Sequence, residues 1–522
     1  MTHFGRMALA LAIAVLLGPS IVDADSPTTP NIVIIISDDQ GSADVSYNPH
    51  HPKEVHTPNI DALARASVIC NQGYTTGFVC SPTRAGLMTG QYQQRFGVYT
   101  AGEGGSGVPL TETFLVEYLK RAGYVTGAFG KWHLGLTLEY NAVNRGFDEF
   151  YGFMGRGAHD YFDLTIPDHP LYRGLKKIKD KGYLTTRITE EAVSFIQRHK
   201  KKPFLLYVAY NANHSPAQAP KEDIKPVTND KKRNILMAMN KHLDDGVGAI
   251  VGTLKKERLF NNTLLVYLTD NGGAKGMNAN NAPLRGFKHS YYEGGVRVPF
   301  VVSWPARLKG GQKCDVPVSS FDILPTALAA ADVTLPKKTM LDGKNMLPVL
   351  EGKAKRLHEH LFWSSGGYDG RWAVRSGKWK LVTVKDKMEL FDISADISEK
   401  TNLASKNPDQ VARLKKLYDQ WLDQMGEPNS RQPKRWRPGL KSPKQLKQER
   451  LRKKKRDERK KKKQEVRKNK KRHNGEVSHD VRKTLRFEKV RFTRFAFDRK
   501  EYCETMALTH NRMPGPLSCF RF

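Results

Sequence analysis

Cysteine is scarce in this chain: its 522 residues contain only Cys70, Cys80, Cys314, Cys503 and Cys519. An odd count leaves at least one thiol unpaired, and a chain this long can bury enough core to fold without disulfide staples. Long apolar runs are missing too, apart from one from Met7 to Leu17, preceded by Arg6 and followed by small residues around Ala24. That run is too short to cross a hydrocarbon layer of ~30 Å, which excludes a membrane-spanning reading, and it has the form of a secretory leader. Residues 1–24 are therefore expected to be a signal peptide and the mature protein to be periplasmic or secreted. Acids are outnumbered, with 53 Asp or Glu against 86 Lys or Arg and a formal net charge of +33. The excess does not make the body a nucleic-acid binder, because it is concentrated near one end. From Arg431 to Arg472 there are 23 Lys or Arg against 4 acids, and the 430 residues before that segment carry only +10.

What is present reads as an α/β protein. NIVIIISDDQ (31–40), PFLLYVAYNANH (203–214), NTLLVYLTDNGG (262–273) and RVPFVVSWPA (297–306) are apolar runs without alternation, the pattern of strands covered on both faces. Helical spacing occupies 57–67, 111–123, 185–199 and 236–257. The order predicts a large, mostly parallel sheet flanked by helices. From about residue 355, short alternating strands with Gly-containing turns predict a small antiparallel sheet, followed by a helix over 407–426. The expected division is a catalytic domain over 25–354, a smaller C-terminal subdomain over 355–428 and a basic low-complexity tail over 429–522. The tail is expected to be disordered or a solitary charged helix. No internal repeat is present.

Polar clusters follow several of the apolar runs: Asp38-Asp39, Asn211-Ala212-Asn213-His214 and Asp270-Asn271. Ligands of open α/β sheets bind beyond the carboxyl ends of strands, so these clusters are candidates to converge. Adjacent carboxylates repel unless a cation lies between them, and Asp38, Asp39, Asp270 and the Asn271 amide oxygen form an all-oxygen set suited to Ca²⁺ or Mg²⁺. The competing reading is that DD and DNGG are loop turns. Gly130-Lys131-Trp132-His133 follows a strand-like YVTGAF, and Lys288-His289 sits in a Gly-bounded loop. The first is a functional pair or a solvated lysine beside a structural histidine, and the second meets an anion or is an ordinary basic loop. Pro82 suits the first turn of a helix, which puts Cys80 at a helix N-terminus. There it is a buried small hydrophobe, half of a disulfide, or a residue that does chemistry.

Cys80-Ser81-Pro82-Thr83-Arg84 resembles the Cys-x-Pro-x-Arg motif of the formylglycine-dependent (type I) sulfatases of the alkaline-phosphatase-like superfamily. The resemblance runs over about residues 30–428, because DDQG, GKWHLG, NANHSP, TDNGG and GFKHSYYEGGVRVP follow in family order. It implies that a formylglycine-generating enzyme oxidises Cys80 to Cα-formylglycine, whose hydrate attacks a sulfate monoester and carries a covalent sulfate hemiester. It further implies that Asp38, Asp39, Asp270, Asn271 and residue 80 ligate Ca²⁺, with Mg²⁺ the second choice. Lys131 and Lys288 would meet the sulfuryl oxygens, Arg84 would hold the diol, His214 would protonate the leaving oxygen, and His133 would act as base. Many relatives have Ser where this chain has Ala158, so His159 and Asp160 are candidates for substrate recognition, or alternatively a structural turn.

The function implied is an exported sulfuric ester hydrolase acting on a sulfated carbohydrate or aryl sulfate. A phosphodiesterase or phosphonate monoester hydrolase of the same superfamily is the alternative, followed by a non-catalytic polyanion binder. On its charge alone the basic tail would bind polyanions or an acidic surface through counterion release, or is a solvated extension without function.

Overall fold

The computed structural model describes residues 29–102, 107–155, 157–366, 370–384 and 387–429. The expected leader and the basic tail lie outside the described residues. In chain order the strands are β1 (Asn31–Ser37), β2 (Val68–Cys70), β3 (Gly73–Tyr74), β4 (Val125–Lys131), β5 (Glu149–Phe153), β6 (Leu171–Arg173), β7 (Lys176–Ile178), β8 (Phe204–Ala209), β9 (Thr263–Thr269), β10 (Phe300–Ser303), β11 (Gln312–Cys314), β12 (Val318–Ser319), β13 (His360–Ser364), β14 (Trp372–Ser376), β15 (Trp379–Val384) and β16 (Lys387–Asp392). The longer helices are α1 (Pro58–Arg65), α2 (Cys80–Thr89), α3 (Leu115–Arg121), α4 (Leu184–His199), α5 (Lys231–Lys256), α6 (Ile323–Ala330) and α7 (Pro408–Leu422).

Ten strands form one sheet in the order β11-β2-β10-β9-β1-β8-β4-β5-β6-β7. Its centre, β9-β1-β8-β4-β5, is parallel throughout. The run NIVIIIS needs no polar alternation because both of its faces are covered. Ile32, Ile34 and Ile36 share a core with Leu87 of α2 and Leu115 and Leu119 of α3. Val33 and Ile35 share another with Ile188 of α4 and Leu243 and Val247 of α5. Burying each such side chain contributes about 1.5–3 kcal/mol.

β10 is a strand as expected, and it runs antiparallel to β9 and β2 within a sheet that is mostly parallel as predicted. α5 begins at Lys231, five residues before the expected start, because the Asp230 carboxylate caps it by accepting from the Lys232 and Arg233 amides at 2.8 and 3.0 Å. The charged first turn carries no apolar period to mark it.

β13–β16 form a four-stranded antiparallel sheet. Trp363, Val374, Leu381 and Leu390 of this sheet pack with Tyr418 and Trp421 of α7, and also with Tyr74 and Tyr291 from the larger part of the chain.

Candidate active site

Parallel pairing aligns the carboxyl ends of β1, β9, β8 and β4 on one edge of the large sheet. Ser37 pairs in register with Thr269, so Asp38 and Asp270 emerge side by side. The Asp270 amide donates to the Ser37 carbonyl at 3.1 Å. Two glycines permit the approach. A Cβ on Gly272 would stand 1.8 Å from the Gly294 carbonyl oxygen, and one on Gly130, whose φ is +109°, would stand 2.0 Å from that of Ala209. Gly130 thus lets β4 press against β8 and deliver Lys131 and His133 to the same edge. Cys80 is the first residue of α2, after an extended Val79, and Arg84 lies one turn further along.

Each of the three carboxylates has its own cation. Arg84 donates to Asp270 Oδ2 from Nε at 3.0 Å and from Nη2 at 2.8 Å, while its Nη1 donates to the Lys131 carbonyl at 2.9 Å. Lys131 Nζ pairs with Asp38 Oδ2. Lys288 Nζ lies 2.8 Å from Asp39 Oδ1 and 3.6 Å from Cys80 Sγ. Burial disfavours the charge on Arg84 and on Lys288, but Asp270 and Asp39 respectively outweigh it, and both stay protonated. Burial likewise raises the Cys80 thiol, yet the charges of Lys131 and Lys288 overcome this and hold it below its ordinary value.

The cluster is not electrically complete. One oxygen each from Asp38, Asp39 and Asp270 lie within 4.8 Å of one another. Asp38 Oδ1 and Asn271 Oδ1 are buried without a hydrogen-bond partner, although the Asn271 amide nitrogen donates to Asp39 Oδ1 at 2.7 Å. Burial, followed by repulsion from Asp270, pushes the Asp38 carboxyl well above its ordinary range. Orphaned hard oxygens beside crowded carboxylates are what a divalent cation satisfies, so the residues fit Ca²⁺ or Mg²⁺.

Both proposed catalytic histidines line the cavity onto which Cys80 and Lys288 open, which has a volume of about 710 Å³. His133 is depressed well below its ordinary value by burial and by the neighbouring Lys131 and Arg84 charges, and its Nδ1 has no partner. It is a neutral imidazole able to accept a proton. His214 is lowered by burial, with Asp39 opposing. Its Nδ1 faces the Ser215 carbonyl at 2.8 Å, so that nitrogen carries the hydrogen, and Nε2 lies 3.7 Å from Asp39 Oδ2.

His159 and Asp160 are not brought into this set. The His159 ring nitrogens lie 2.7 and 2.8 Å from the carbonyls of Asp160 and His169. The Asp160 carboxylate accepts from the Phe162 and Asp163 amides and from Gln218 Nε2. These contacts hold a loop together. Conversely, sequence reasoning overlooks Leu136, Glu139 and Tyr140 in the cavity wall. They lie just beyond GKWHLG, and that adjacency is the only signal they carry.

A family model described as Sulfatase matches residues 30–333, and one described as N-sulphoglucosamine sulphohydrolase, C-terminal, matches residues 287–426. The chain is 29% identical to the uncharacterized sulfatase YdeN of Escherichia coli (strain K12), over 77% of this chain and 87% of that protein. It is 30% identical to the N-acetylgalactosamine-6-sulfatase of Canis lupus familiaris, over 68% of this chain and 72% of that one. Among solved structures, Ps i-CgsB is similar with a TM-score of 0.72 and 36% identity, covering 77% of this chain and 94% of that one. Ps i-CgsB has also been solved in complex with k-i-k-neocarrahexaose.

Proposed function

Because this chain belongs to the sulfatase family of sulfuric ester hydrolases, on an alkaline-phosphatase-like fold, we propose that it removes sulfate from a sulfated carbohydrate at Cys80. The observation that carries this reading is Lys288, whose single ammonium lies 2.8 Å from Asp39 and 3.6 Å from Cys80 Sγ. It joins the position of the nucleophile to the carboxylate cluster. The carbohydrate preference is supported by the sugar ligand of Ps i-CgsB and by the named substrate of the N-acetylgalactosamine-6-sulfatases.

Formylglycine made from Cys80 would supply, as its hydrate, the attacking hydroxyl. Ca²⁺ held by Asp38, Asp39, Asp270 and Asn271, with residue 80 beside them, would polarise the sulfate oxygens and acidify that hydroxyl. The chain's own groups do the rest. Lys131 and Lys288 hold the sulfuryl oxygens as point charges. Arg84, fixed at three of its nitrogens, keeps the carboxylates apart from one another and orients residue 80. An incoming anionic ester raises the proton affinity of His214, which gives its Nε2 proton to the leaving oxygen. His133, neutral and unpartnered at Nδ1, takes a proton from residue 80 when sulfate departs.

The same reading extends to the rest of the chain. Residues 25–354 form the catalytic domain and residues 355–428 a subdomain packed against it, while 429–522 tether the enzyme to polyanionic substrate or an acidic surface. The protein is exported by its leader and modified at Cys80 by a formylglycine-generating enzyme. Among the described residues no helix is long and apolar enough to cross a membrane.

Sulfate release from a panel of sulfated mono- and oligosaccharides tests the proposal, with nitrophenyl sulfate and a bis-nitrophenyl phosphate diester as references. Higher kcat/KM on at least one sulfated sugar than on the diester is expected. Faster diester turnover throughout would favour the phosphodiesterase alternative.

A further inference from the structure

Cys70 and Cys314 are direct register partners in the parallel pairing of β2 with β11. Residues so paired send their side chains to the same face of a sheet, and both of these are buried there. Both are free thiols within hydrogen-bonding reach of each other. Contact with Cys314, followed by burial, raises Cys70, whereas the Cys70 hydrogen bond brings Cys314 down to about 7. Oxidation also has a route. β11 is a three-residue strand at the sheet edge with Gln312 and Lys313 exposed. Cys70 itself lines a separate surface cavity of about 280 Å³, together with Lys313 and Asp315.

We propose that Cys70 and Cys314 form a disulfide that staples the edge strand β11 to β2. The oxidant is a disulfide of small-molecule or oxidoreductase type. The Cys70 thiol, which lines the cavity, loses its proton to solvent and attacks one of its sulfurs, forming a mixed disulfide and releasing the first thiolate. The Cys314 thiolate then attacks the Cys70 sulfur, releasing the second. Two protein thiols lose two electrons and two protons, and the oxidant is reduced to two thiols. The bond lies at the root of the segment that carries Cys80. β3, in the stretch between Cys70 and Cys80, pairs with β12, which follows Cys314, and the Asn71 amide donates to the Cys314 carbonyl at 2.9 Å. The staple therefore anchors both chains that support residue 80, and it takes Cys70 and Cys314 away from wrong pairing with that residue.

The test is to incubate the full chain with oxidised glutathione, alkylate remaining thiols in denaturant and map peptides without reductant. The expected product is one cross-linked peptide pair containing Cys70 and Cys314, two hydrogens lighter than the separate peptides and split by reductant. It should persist in Cys80→Ala, which separates this proposal from the catalytic one, and vanish in Cys314→Ser. If Cys314→Ser does not fold, the wild-type map decides alone. Recovery of both cysteines alkylated, or of Cys70 joined only to glutathione, Cys80, Cys503 or Cys519, would overturn the proposal.

Discussion

The carboxylates of Asp38, Asp39 and Asp270 and those of Glu293 and Glu399 are equally hidden from solvent, yet their surroundings differ in one respect. Glu293 is closed off on every side: Lys380 Nζ lies 2.6 Å from Oε1, while the Tyr74 hydroxyl and Arg297 donate to Oε2 at 2.6 and 3.2 Å. Glu399 accepts from the Glu293 amide at 2.7 Å and pairs with the same Lys380 at 3.2 Å. Those contacts tie the small sheet, through Lys380 of β15, to the segment following Lys288. Glu399 Oε1 has no hydrogen bond but faces the Lys380 ammonium, whereas the cluster at Asp38 leaves Asp38 Oδ1 and Asn271 Oδ1 with no hydrogen bond and opens on a cavity beside a thiol. A buried carboxylate whose oxygens all face a donor or a cation holds elements together, and a cluster with oxygens facing neither is prepared for something that arrives later.

Substitutions in the two clusters should therefore have opposite signatures. The largest effect is expected for Cys80→Ala, which should lower kcat/KM for a sulfate monoester by about 10⁴-fold or more while leaving Tm near wild type. Next, chelation of divalent ions should suppress turnover reversibly. Restoration by Ca²⁺ is expected, and full activity after exhaustive chelation would mean that turnover needs no divalent cation. Lys288→Met should cost about 10²–10³-fold in kcat/KM with the fold retained, as read by steady-state kinetics and circular dichroism. In the closed cluster, Lys380→Met should reverse the pattern: breaking the buried pair should destabilise by about 3–5 kcal/mol in denaturant titration, with kcat within about twofold.

The smallest expected effect is on pH dependence. Burial, opposed by Lys380 and reinforced by the Glu293 charge, pushes the Glu399 carboxyl up to about 7. Its contribution to stability is thus full below the ordinary value of 4.5 and is lost as pH rises through about 7. Glu293 runs the other way. Burial is outweighed by Lys380 and Arg297, which hold it at about 2, so its contribution is lost only as pH falls toward 2. Glu399→Gln should flatten the decline of Tm between pH 4.5 and 7, and an unchanged slope would assign that decline to other groups.

Much of this architecture is legible in the sequence, and the gaps have physical reasons. β1, β8, β9 and β10 stand out because burial on both faces removes polar alternation, but the same double burial erases any mark of direction, so antiparallel β10 reads like its parallel neighbours. β2, β3, β11 and β12 have two or three residues each, too few for a period to develop. At the site, each polar block is visible because it ends a strand. Which cation meets which carboxylate is not, because Lys131 and Asp38 are 93 residues apart, Arg84 and Asp270 186, and Lys288 and Asp39 249. The closed cluster escapes notice altogether. Lys380 sits in WKLVTV, where nothing local pairs its charge, and only the tertiary fold brings Glu293 and Glu399 over it. Glu139 and Tyr140 fail for a related reason, since cavity-wall residues on an exposed loop resemble any other loop.

Mass analysis of the peptide carrying residue 80, taken from fully active protein, shows whether the open cluster serves a chemically altered residue there. The expected residue has exchanged its sulfur for an aldehyde oxygen and reacts with a hydrazide probe. An unmodified cysteine at position 80 in protein that turns over sulfate esters at full rate would contradict that expectation.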